Sequence, residues 1–237
     1  MQIFSIVTKG GYIMYPILVC SVIFLAVTIE RWYVLRSTRE KHRRFFKSIR
    51  KSLIQRDLSS LVDLSQKNPC IASKIILSGL KRYFAGYPRE AREAMETAAL
   101  QELPYLEKRL NTLVTIANIS PLLGLLGTVT GMIKTFNIIS AIGVGRPAEM
   151  ASGISEALIT TAAGLSVAIP TIIAHHYLSN TAESLMNEIE RVSGEILEII
   201  EEEAGLLPGT VSSREKLQKE DQNVSVSTNE EKIETRS

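Results

Sequence analysis

The chain has 237 residues, 45% of them hydrophobic and 22% charged, with 27 Lys and Arg nearly balancing 25 Asp and Glu for a formal net charge of +2. That balance gives no reason to expect nucleic acid, and Cys20 and Cys70, which offer neither pairing nor metal spacing, are expected to be small packing residues. A mean hydropathy of +0.11 alongside so many charges implies separate membrane and aqueous parts.

Gly10–Ile29 contains no charged residue and is followed by a basic cluster from Arg31 to Lys47. A cleaved signal peptide would carry its cations before the apolar core, so this order predicts a retained first span. Tyr12 and Tyr15 at one end and Trp32 and Tyr33 at the other suit the two interfaces. Because cytoplasmic flanks accumulate Lys and Arg, the N-terminus is expected outside and the basic cluster inside, where it grips anionic membrane lipids.

From about residue 48 to residue 109 the pattern is aqueous and helical. Asp57 can cap a short helix, Asn68-Pro69 breaks it, and Ile71–Phe84 carries apolar residues at helical spacing. Gly86-Tyr87-Pro88 breaks the chain again, and Pro88 is well placed to start a helix. The stretch PREAREAMETAALQELPYLEKRL reads as a helix running directly into the next apolar segment, bent but not ended by Pro104.

Leu110–Ile133 is the second uncharged stretch and contains SPLLGLLGTVTGM. Gly124, Thr128, Gly131 and Thr135 follow at three- and four-residue steps, giving one helix face that is small and weakly polar. Together with Gly127, these residues suit either close helix packing or a lumen, and geometry alone does not choose. The loop from Asn137 to Gly153 is poor in cations, as expected outside, with Gly143, Gly145 and Pro147 marking the turn.

Met150–Ala174, the third span, carries one carboxylate, Glu156, near its start. An acid retained in a span costs a few kcal/mol by insertion scales and is therefore a functional-site candidate, the alternative being a cap at the water interface. Thr160 shares the face of Glu156, whereas Thr161 lies about 140° around an ideal helix. Glu183–Glu203 continues with Leu185, Ile189, Val192, Ile196 and Ile199 on one stripe and glutamates elsewhere, which suggests packing against the basic segment after the first span. The Ser-, Thr- and Glu-rich tail is expected to be disordered.

The fold class is thus all-α, an integral membrane protein with three transmembrane helices and long cytoplasmic helical extensions. Residues 1–30 form the periplasmic N-terminus and first span, and 31–109 a cytoplasmic helical region. Residues 110–182 hold the second and third spans with their short periplasmic loop, 183–204 a cytoplasmic helix and 205–237 the tail.

SPLLGLLGTVTGMIKTF, then a short loop and ISEALITTAAGLSVAIPT, are similar to the paired signature of the MotA/TolQ/ExbB proton channel family, and the order of spans agrees over roughly residues 10 to 203. With three spans the chain resembles the ExbB/TolQ branch. That resemblance implies a proton-channel subunit of a bacterial inner-membrane motor, five copies surrounding an ExbD/TolR-type single-span partner and driving a TonB- or TolA-type protein in outer-membrane transport or envelope maintenance. It places Thr128, Glu156 and Thr161 on the proton pathway, with Thr160 as a second candidate for the last. No Asp, Lys or Arg is expected to interrupt the three spans, so a second acid would have to come from the partner. The alternative is a non-conducting membrane scaffold using the small-residue faces; an enzyme ranks last, since no nucleophile-base pair, cofactor loop or metal cluster stands out.

Overall fold

A computed structural model of the chain describes residues 10–143 and 147–205. The described residues form six α-helices and one 3₁₀ turn: α1 (Met14–Ile54), α2 (Leu58–Lys67), α3 (Ile71–Phe84), the turn Pro88–Glu90, α4 (Ala91–Glu107), α5 (Leu110–Ile142) and α6 (Pro147–Glu203). Among them α1, α5 and α6 are long and apolar enough to cross a membrane. The expected disordered tail and the N-terminal segment before Gly10 lie outside the described residues.

Two compact units divide the chain, one from Met1–Glu40 with Leu103–Met186, the other from Lys41–Glu102 with Asn187–Ser237. In the first, the span segments turn large apolar side chains outward, among them Val22, Leu125, Ile133, Leu158 and Ile173. A helix that is apolar on its outer face as well as its inner one belongs in lipid, where the intrahelical ladder satisfies its backbone. Pro121 and Pro170 lie inside α5 and α6 without ending either helix, as spans tolerate.

The second unit has an ordinary aqueous core, built on Phe45, Ile49, Leu61, Ile76, Leu80 and Ile196. Asp57 caps α2 as expected: its carboxylate accepts from the Ser60 N–H at 3.1 Å and from the hydroxyls of Ser59 and Ser60 at 2.7 and 2.5 Å. These donors, the Ser60 hydroxyl first, hold its pKa down at about 2. Cys70, expected to be a packing residue, instead caps α3: its sulfur accepts the Ser73 N–H while Ser73 Oγ accepts the Cys70 N–H at 2.8 Å.

Two expectations change. The helix through Pro104 does not run on into the second span. It stops at Glu107, and Arg109, with φ +62°, turns the chain before α5. That left-handed conformation is costly for a side chain larger than glycine. Arg109 pairs there with Glu30, and the guanidinium of the buried Arg31 reaches the Tyr105 carbonyl at 3.4 Å. The stripe of α6 is buried from Leu185 to Ile199 as expected. Its terminal carboxylates, however, meet groups outside the Arg31–Lys47 cluster: Glu201 pairs with Arg92 at 2.8 Å, Glu202 with Arg56 at 2.5 Å, and Glu203 accepts from the Tyr83 hydroxyl at 2.8 Å. The Glu202 contact raises the pKa of Arg56 and the Glu203 contact that of Tyr83.

Candidate proton site between the second and third spans

The α5–α6 seam is built from residues with almost no side chain. A Cβ on Gly131 would stand 2.8 Å from both Ala157 Cβ and the Gly153 carbonyl. On Gly124 it would meet the Thr161 Cα at 3.1 Å, and on Gly164 the Ser120 carbonyl at 2.5 Å. Gly127 gives its space to the Thr160 side chain, and Gly153 to Thr135. Glycines at helical spacing let two backbones approach until carbonyls and Cα atoms touch, which is how spans pack without a hydrophobic driving force. At Gly124, Gly127 and Gly131 the α5 backbone stands in close contact with α6.

Two of the threonines are spent in the same seam. Thr160 is buried, and its hydroxyl donates to the carbonyls of Ala157 at 2.9 Å and Glu156 at 3.1 Å. Thr161, half-buried, donates across the seam to the Gly124 carbonyl at 3.0 Å. Thr128 lies at the edge of the glycine face and bonds to Leu125 O at 2.7 Å. The hydrogen bonds of these three hydroxyls go to backbone carbonyls, leaving oxygen lone pairs as acceptors. The structure thus brings Thr160 and Thr161 together with the glycine face and places Thr128 beside it.

Glu156 stands near the start of α6 with its side chain 20% exposed. Its Oε2 accepts from Lys134 Nζ at 2.6 Å, a charge-assisted contact between neighbouring spans. Its Oε1 lies over Gly11 at the entrance to α1, so close that a Cβ there would collide with it, and Gly11 has φ +66°. Residues from three spans therefore converge on one carboxylate.

Lys134 is the residue that sequence reasoning misses, because the second uncharged stretch ends at Ile133 and the spans then read as free of Lys. The helix α5 continues to Ile142, so Lys134 lies inside it. The available signal is a cation within the signature itself, three residues past Gly131. Nothing in local spacing pairs it with an acid 22 positions away across a loop.

The family model described as the MotA/TolQ/ExbB proton channel family matches residues 68–191. The chain is 34% identical over 204 residues to the biopolymer transport protein ExbB-like 1 of Synechocystis, covering 84% of this chain and 79% of that one. It is 34% identical over 141 residues to the Tol-Pal system protein TolQ of Haemophilus influenzae, covering 60% of this chain and 57% of that one. To the biopolymer transport protein ExbB of Aquifex aeolicus it is 35% identical over 117 residues, covering 49% of this chain and 78% of that one.

Proposed function

Since the chain belongs to the MotA/TolQ/ExbB proton channel family, we propose that it is the proton-channel subunit of an inner-membrane motor of the ExbB/TolQ type. In this reading an ExbD/TolR-type single-span protein sits with it, and the proton motive force is passed to a periplasm-spanning protein of the TonB or TolA kind. The work done is outer-membrane transport or envelope maintenance.

The observation that carries the reading is Glu156: an acid kept inside a span, reached by the Lys134 side chain of α5 and the Gly11 backbone just before α1. A carboxyl there can take a proton from one side and release it to the other, and each proton crossing 100 mV supplies about 2.3 kcal/mol. Thr128 and Thr160 or Thr161 would line the route with acceptor oxygens. A scaffold would need the small-residue face for other proteins, and α5 and α6 already use that face on each other.

Glu156→Gln keeps the shape and removes the exchangeable proton, so the variant should assemble while partner-dependent proton uptake and growth on a coupled substrate fail. Glu156→Asp, one methylene shorter, should retain part of both. Near-normal coupling by a well-expressed Gln variant would sink the proposal, because an interfacial cap tolerates that change.

A further inference from the structure

We propose that Lys134 is the resident counter-charge of Glu156, a positioning residue that closes the proton site while the subunit is uncoupled. The proposal rests on the reading of Glu156 as the proton-exchanging group and adds what holds that group between turnovers.

Three observations meet at the site. The Lys134 ammonium is 2.6 Å from Oε2, and the two side chains differ in exposure, 55% for Lys134 against 20% for Glu156. The acid is therefore the enclosed member and the cation the one facing outward. On the other side of the carboxylate, Oε1 lies against Gly11, a left-handed glycine three residues before α1 where no side chain fits. With Gly11 against one oxygen and an ammonium on the other, Lys134 competes with an incoming proton for Glu156. The third observation is where the cation can go. An open cavity of about 500 Å³ lies beside Lys134, lined by the apolar Ile133, Ile138 and Ala141 and by the polar Asn137 and Glu149, and gives the ammonium room to swing away from the carboxylate.

Among the described residues, Lys134 from α5 is the charged group paired with Glu156, Glu149 from the start of α6 lines the cavity beside Lys134, and Gly11, just before α1, presents backbone to the carboxylate. When a proton binds Oε2, a new O–H bond forms and the carboxylate loses its charge. The ammonium keeps its own protons and loses its reason to stay. Release of that proton restores the carboxylate and draws the cation back, so the pair alternates with proton occupancy and admits no free leak.

The test uses full-length protein in membranes without a partner. Dicyclohexylcarbodiimide attacks protonated carboxyls in apolar surroundings, and its adduct on Glu156 can be followed by mass spectrometry. Lys134→Met and Lys134→Gln should label about fivefold faster than wild type, the scale of losing one partly exposed ion pair, and Lys134→Arg should label at the wild-type rate. The reciprocal measurement reads the pair from the other side: Glu156→Gln should make Lys134 acetylate about fivefold faster, with the remaining lysines unchanged. Should neither neutral Lys134 variant fold, this second measurement decides alone. Unchanged rates in both directions, or an Arg variant that behaves like the Met variant, overturn the proposal. Failure of the Glu156 reading looks different, since Glu156→Gln would then couple normally whatever the labelling rates.

Discussion

His42 is fully buried in the aqueous unit, and its Nε2 accepts the Ala72 N–H at 3.2 Å near the start of α3. An accepting Nε2 carries no hydrogen, so the ring is neutral with its proton on Nδ1. Nδ1 finds no partner among the described residues, and the Phe46 ring stacks at 6.2 Å. Burial without a counter-charge lowers the pKa from 6.5 to about 4. Between those two values the unfolded chain binds the extra proton and the folded one does not. The contribution is thus intact above pH 6.5 and is lost as the pH falls towards 4, by on the order of 3 kcal/mol at the limit. Thermal unfolding followed by circular dichroism should show the midpoint falling over that window. His42→Gln keeps an acceptor for the Ala72 amide and should flatten the dependence; an equally steep fall in that variant would assign the effect elsewhere.

Among the elements, the seam between α5 and α6 is the part that tolerates least. Gly131→Leu would drive a branched side chain into Ala157 and the Gly153 carbonyl, neither of which can swing aside, and should destabilise the pair of spans by several kcal/mol. Gly194, also on α6, meets nothing within 4 Å, so Gly194→Ala should stabilise the helix by about 0.5–1 kcal/mol. Opposite shifts of the thermal midpoint are expected, and similar shifts in both variants would mean that the seam is not as tight as its distances.

What could be read from the sequence follows the same division. The three spans, the Asp57 cap, α3 and the buried stripe of α6 were legible, because each is written in local periodicity, charge or a capping residue. The break at Arg109 was not, since a left-handed arginine carries no compositional mark and depends on what Glu30 and Arg31 supply from far away in the chain. At the site, Glu156 was legible as a lone acid in an apolar run. Its contact with Lys134 was not, because it depends on how two spans lie against each other. The glycine face was found from spacing, and only the structure shows α6 occupying it.

At the scale of the whole molecule, the first unit shows apolar side chains on surfaces that its own helices leave uncovered, including Leu122, Leu126, Val129 and Phe136 on α5 and Leu165 and Ile169 on α6. The glycine seam is closed internally, so a neighbouring copy would meet these larger side chains and pack by van der Waals contact, as spans do in lipid. The proposed function implies five copies, and the concentration of cations after the first span predicts the N-terminal side outward. Native mass spectrometry in mild detergent should therefore show a pentamer, with or without a partner. Orientation can be checked on the same protein with Cys20 and Cys70 replaced by serine. Ser152→Cys, exposed near the start of α6, should react with an impermeant thiol reagent added to the periplasm, and Lys81→Cys, exposed on α3, should not. A stable monomer would remove the ring, and labelling at position 81 in intact cells would invert the topology on which the direction of proton flow depends.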